Sequence, residues 1–152
     1  MVKTGLDIVV HDQAHLLANQ RVGLVSMPAA VLPDLTISLD ALRGAGINVT
    51  TLFGPEHGFS GAAFDGAQVG NATDPHSGLP VYSLYGAINE PTAEMLENVD
   101  VLMFDMQDVG VRFYTYLSTL FYILGFNSEV QQTDRRILQK ATGSQGTFLD
   151  DD

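Results

Sequence analysis

The stretch NVTTLFGPEHGFSG, Asn48 to Gly61, changes character at Gly54. Val49 to Phe53 is a short apolar, β-branched run of the kind that forms a strand buried on both faces. The next residues make a stiff, bare turn framed by Gly54, Pro55, Gly58 and Gly61, and it carries Glu56 and His57 side by side. Two other runs repeat the arrangement: RVGLV, Arg21 to Val25, leads into SMP, and DVLMF, Asp100 to Phe104, leads into DMQDVGVRFYTY.

Between these runs the spacing predicts helices. In LTISLDALRGAG, Leu35, Leu39 and Leu42 recur at helical intervals, with Asp34 as the expected cap and Gly44 and Gly46 as the stop. PTAEMLENV reads as a short helix capped by Thr92, and Val81 to Leu84 as a short extended segment. Gly54 to about Pro80 shows no clear periodicity, a length of loop that is commonly functional. From Arg112 a further helix is expected through LSTLFYIL. Alternation of strand and helix predicts an α/β fold, a Rossmann-like three-layer parallel sheet with right-handed crossovers. Parallel strands deliver their exits to one edge, where such folds bind ligands. Glu56, Asp105, Gln107 and Asp108 are therefore expected to converge.

At 152 residues the chain is the size of one domain, and 45% hydrophobic with 16% charged residues fits a folded core. The net charge of −11 and seven scattered Lys and Arg repel phosphate backbones and anionic membranes, so neither nucleic acid nor membrane is an expected partner. With no cysteine, thiolate chemistry is excluded. The opening MVKTGLDIVVHDQ lacks signal-peptide character; the expectation is a cytoplasmic chain or one cut from a longer precursor.

The chemistry-bearing residues fall in two clusters. Glu56 is a candidate general acid or base with His57 beside it, because a carboxyl near apolar groups can hold a proton close to neutrality. In DMQDVGVRFYTY, Asp105, Gln107, Asp108, Arg112, Tyr114 and Tyr116 combine the groups that hold a polar sugar or acid, although Asp108 as a helix cap and the tyrosines as core residues explain the segment equally well. His57, His76, Asp65, Asp74 and Asp105 match no compact metal-ligand spacing, and SMPAAVLP has neither a dinucleotide nor a Walker glycine pattern. No metal or cofactor is expected. Ser26 lacks the nucleophile elbow.

Taken in order, RVGLVSMPAAV, TLFGPEHGFSG, TDPHSGLPVYSLYG and PTAEMLENVDVLMFDMQDVGVRFYTYLSTL resemble the DUF1343 family of exo-acting β-N-acetylmuramidases. The resemblance runs from residue 5 to about residue 122. It implies the N-terminal part of a glycoside hydrolase that removes terminal N-acetylmuramic acid from peptidoglycan fragments, with Glu56 as the catalytic acid or base and His57 flanking it. Related enzymes are often exported. Asp105 or Asp108 is either a second carboxylate or a substrate contact; Gln107, Arg112 and Tyr114 join the substrate contacts, and Tyr85 and Tyr114 supply flanking hydroxyls or a stacking face for the sugar. The alternative to two carboxylates is attack by the sugar's own 2-acetamido group. Met27 stands where many members have asparagine or histidine.

Relative to the family the sheet is expected to be truncated. Residues 1–124 are expected to form the Rossmann-like domain and residues 125–152 a disordered or out-of-frame tail, leaving a bare sheet edge that invites self-association. The competing readings are a non-catalytic fragment and a flavodoxin-like module that binds a small ligand.

Overall fold

The computed structural model describes residues 3–56, 58–60, 72–111, 114–129 and 136–139, with the side chains of 125–129 and 136–139 excepted. His57 and Arg112 lie outside the described residues. In chain order the elements are α1 (Gly5–His11), a single 3-10 turn (Ala14–Leu17), β1 (Val22–Ser26), α2 (Ser38–Gly44), β2 (Val49–Gly54), β3 (Ala72–Thr73), β4 (Pro80–Ser83), β5 (Val101–Asp105), α3 (Tyr116–Glu129) and β6 (Arg136–Gln139). The strands form one sheet in the order β3-β4-β2-β1-β5-β6. Every pairing is parallel except β3 with β4. The three strands expected from sequence are thus parallel neighbours, with β1 in the centre.

One ion pair clamps the starts of β1 and β5 together. Arg21 Nη2 donates to Asp100 Oδ1 at 2.6 Å and the Arg21 backbone N–H to Asp100 Oδ2 at 2.8 Å, tying together the residues that precede β1 and β5. Arg21, expected within the first strand, is therefore its clamp, and the strand runs one residue later.

Alternation along the strands sorts the core into two layers. Val22 and Leu24 of β1 and Val101 and Met103 of β5 pack with Leu6, Leu17, Leu39 and Leu42 from α1, the 3-10 turn and α2. Val25, Leu102 and Phe104 pack on the opposite face with Leu96, Val99 and the α3 residues Tyr116, Leu120 and Ile123. Strand β2 departs from strict alternation. Val22 pairs with Val49 but Gly23 with Thr51, so Thr50 is an extra residue in the ladder. The bulge lets Val49 and Leu52 share the α2 face and turns Phe53 toward α3.

Several local expectations are corrected. Asp34 does not cap a helix: its Oδ1 accepts the Thr36 N–H at 3.0 Å, a turn that competes with helix, and Leu35 has φ +70° with its side chain exposed. Ser38 N–H donates to Ala30 O, and α2 starts only at Ser38. PTAEMLENV forms turns rather than a regular helix, with Thr92 Oγ1 accepting from Met95 N–H at 3.4 Å. The last helix begins at Tyr116, not Arg112, and continues past residue 124 to Glu129. Helix α1 was legible as a capping box, Thr4 and Asp7, that the sequence reading passed over. Residues 136–139, within the stretch expected to be a tail, form β6 against β5, on the edge expected to be bare. Among the described residues no helix is long and apolar enough to cross a membrane.

Candidate active site

Strands β4, β2, β1 and β5 are parallel, so their carboxyl ends share one edge, and the loops leaving them carry the candidate site residues. The loop leaving β2 doubles back at once. Gly58 N–H donates to Pro55 O at 2.9 Å, closing a four-residue turn, and Gly58 takes φ +74°. A Cβ on Gly54 would sit 2.2 Å from Phe59 N and 2.7 Å from Gly58 C, both backbone atoms that cannot yield cheaply. Gly54 is thus required by the return of the chain over its own strand. Gly54 O in turn accepts Leu84 N–H at 2.9 Å, which fixes the loop to the exit of β4.

Glu56 stands at the corner of that turn, half-buried. Its Oε2 accepts a hydrogen bond from Thr115 Oγ1 at 2.8 Å. Thr115 and its neighbours open α3, and Tyr114 and Tyr116 pack edge to face with ring centroids 4.6 Å apart. Burial chiefly, then the neighbouring Tyr114 and the charge of Glu56, push the Tyr116 phenol up to about 12. At neutral pH it is a protonated hydroxyl beside the carboxylate.

The exit of β5 is built differently. Asp105 is 2% exposed, and its Oδ2 accepts from Ser38 Oγ at the start of α2. Ser26 Oγ donates to the Asp105 carbonyl at 3.1 Å. Asp105 follows the alternation of Val101 and Met103, so its side chain faces the α2 layer, whereas Glu56 meets the α3 layer. Asp105, expected among the converging groups, shares the edge with Glu56 but not the face; it braces β5 against α2. Beyond it, Gln107 is exposed, and Asp108 is half-buried with Oδ1 accepting the Gly110 N–H at 2.6 Å, where Gly110 has φ +73°. Tyr85 is half-buried just past β4, its N–H donating to Ser83 Oγ at 3.3 Å.

The structure therefore brings Glu56 together with the Tyr114–Tyr116 segment and leaves Tyr85, Gln107 and Asp108 on neighbouring loops of the same edge. Thr115 was missed from sequence, because a threonine ahead of a helix carries no sign of a partner fifty-nine residues away. Ser38 was missed as the partner of Asp105 for the same reason. His76 pairs with Asp40 at 3.0 Å, and no three His, Asp or Glu residues gather as metal ligands among the described residues.

Comparison with known proteins gives concordant matches. The family model described as exo-beta-N-acetylmuramidase NamZ, N-terminal, matches residues 22–145. The chain is similar to the peptidoglycan beta-N-acetylmuramidase NamZ of Bacillus subtilis (strain 168), 50% identical over 124 residues that make up 81% of this chain and 30% of that protein. Two crystal structures of DUF1343 family proteins from Bacteroides fragilis NCTC 9343 share the fold. One has a TM-score of 0.77 at 38% identity and 89% coverage of this chain, the other 0.69 at 29% identity and 90% coverage. The chain spans about a third of the length of these relatives, at 30% of the first and 33% of each of the other two.

Proposed function

The chain belongs to the exo-β-N-acetylmuramidase NamZ N-terminal family, and from that premise we propose that it supplies the catalytic-loop portion of a glycoside hydrolase acting on terminal N-acetylmuramic acid of peptidoglycan fragments. The observation that carries the reading is the placement of Glu56. A glycine-shaped turn projects one carboxyl at the ligand edge of a parallel sheet, and the Thr115 hydroxyl holds it from the facing helix at 2.8 Å.

In this reading Glu56 acts as general acid or base. As the bond from the anomeric carbon to the glycosidic oxygen breaks, that oxygen takes a proton from the Glu56 carboxyl, and the resulting carboxylate later accepts a proton from the water that completes hydrolysis. Asp105 faces α2, so Asp108 is the remaining acidic candidate of the β5 exit for a two-carboxylate mechanism. The 2-acetamido route needs no second carboxylate as nucleophile. Tyr85, Gln107 and Tyr114 bind sugar hydroxyls. His57 flanks the acid, and Arg112 meets the carboxylate of the muramic acid, which a chain of net charge −11 would otherwise repel.

The test is to place residues 22–145 in the corresponding span of the Bacillus subtilis relative and measure release of a chromogenic aglycone from an N-acetylmuraminide. Turnover is expected, and Glu56→Gln is expected to lower it on the order of a hundredfold or more. A replaced enzyme that turns over and ignores Glu56→Gln would overturn Glu56 as the acid or base. The 152-residue chain assayed alone shows whether this portion suffices.

A further inference from the structure

Thr115 is the residue immediately before α3, where threonine commonly serves as a helix cap. Its carbonyl does accept the Thr119 N–H at 3.1 Å. The side chain, however, spends its proton elsewhere: Oγ1 donates across the edge of the sheet to Glu56 Oε2. Resting on the reading of Glu56 as acid or base, we infer that Thr115 is a positioning residue that holds the Glu56 carboxyl in one orientation through both of its protonation states.

Three features support this. Both partners are mounted on fixed backbone. The turn bearing Glu56 is closed by the Gly58-to-Pro55 bond and tied to β4 through Gly54 O, while the start of α3 is anchored by buried Tyr116, Leu120 and Ile123. A glutamate at the corner of a turn has free side-chain torsions to lose, and a donor on a rigid element removes that freedom before substrate arrives. The chemical type of the donor also matters. A hydroxyl donates to a carboxylate and accepts from a protonated carboxyl, whereas a backbone N–H or an ammonium can only donate. An acid or base must pass through both forms, and among simple partners a hydroxyl serves each without moving. Finally, the Tyr114 and Tyr116 rings on either side of Thr115 pack edge to face with centroids 4.6 Å apart, which holds the residue between them in place.

The experiment follows the side-chain carboxyl carbon of Glu56 by NMR through a pH titration, in the labelled 152-residue chain and its Thr115→Val and Thr115→Ser variants. On α3 the Tyr116 phenol, pushed up to about 12, ionises far above the carboxylate range. Loss of a hydroxyl that donates to the charged form is expected to raise the midpoint in Thr115→Val by about one pH unit, and Thr115→Ser should restore it. A threonine that only caps α3 would lower the melting temperature of the valine variant and leave the midpoint unmoved, and that result overturns the inference. The same variants go into the replaced enzyme. There Thr115→Val should lower kcat about tenfold with KM little changed, and should cost nothing further once Glu56→Gln is present. A shifted midpoint in an active enzyme indifferent to Glu56→Gln would reject the muramidase role of Glu56 while leaving the positioning contact in place. An active, Glu56-dependent enzyme with neither midpoint nor kcat altered by Thr115→Val would reject the Thr115 inference alone.

Discussion

The exits of β2 and β5 lie at the same edge of one parallel sheet, and each carries a carboxylate within two residues of its strand. Their fates differ. Glu56 stands half-buried at a turn, held by a hydroxyl from the α3 side. Asp105 is nearly wholly buried, bonded to Ser38 on the α2 side. Topology assigns a residue to an edge, but the alternation of the strand assigns it to a face, and only the two together say whether a carboxylate can meet a ligand. An acidic residue that ends a buried strand in phase with its core positions is a brace. One displaced into a turn is available for chemistry.

The sharpest way to break this contrast is at Gly54. Gly54→Ala forces a Cβ into backbone that cannot retreat, and it should destabilise the chain by about 3 kcal/mol in urea unfolding. A near-neutral result would mean that the β2 exit is not held as tightly as its geometry requires. Next in size is the comparison of the carboxylates themselves. Asp105→Ala should cost about 2 kcal/mol, while Glu56→Gln should cost less than about 1 kcal/mol, because only the former strips a buried hydrogen-bonding site. Equal costs would erase the distinction between the buried brace and the half-buried carboxylate of the turn. The smallest effect is a pH dependence. The folded chain keeps the Tyr116 proton up to about 12, above the ordinary phenol value of about 10. The stability that this contributes is present in full below pH 10 and is lost as pH rises through about 12. Stability measured across that window should fall less steeply for Tyr116→Phe than for the parent chain.

The range of each interaction decides how far sequence could reveal it. The strands around Leu24, Leu52 and Met103 were legible because continuous apolar runs report burial on both faces, and their parallel order came from the intervening segments. The turn that carries Glu56 was legible because Gly54, Pro55 and Gly58 cluster where the backbone must turn sharply. Asp105 was legible at this edge, but its hydrogen bond to Ser38 was not, since Ser38 lies sixty-seven residues away and leaves no local trace. Leu35 misled for a different reason: it fits the helical spacing, but the Asp34 side chain captures Thr36 N–H and bends the chain first. The stretch after residue 124 looked unpatterned because β6 is four residues long, too short to stand out among polar neighbours.

The extra residue at Thr50 acts as a phase shifter. Before it Val49 pairs with Val22; beyond it β2 is again in step with β1 but one residue on, so its side chains have changed faces relative to an unbulged strand. Were all six residues paired one for one without the bulge, Phe53 would point toward α2, and the turn beginning at Gly54 would launch Glu56 into the layer that now holds Asp105 and Ser38. Changes of length in the following loop would merely alter its reach. Absorbing the extra residue as a bulge, more than the identity of any side chain near it, sets the side of the sheet on which Glu56 stands.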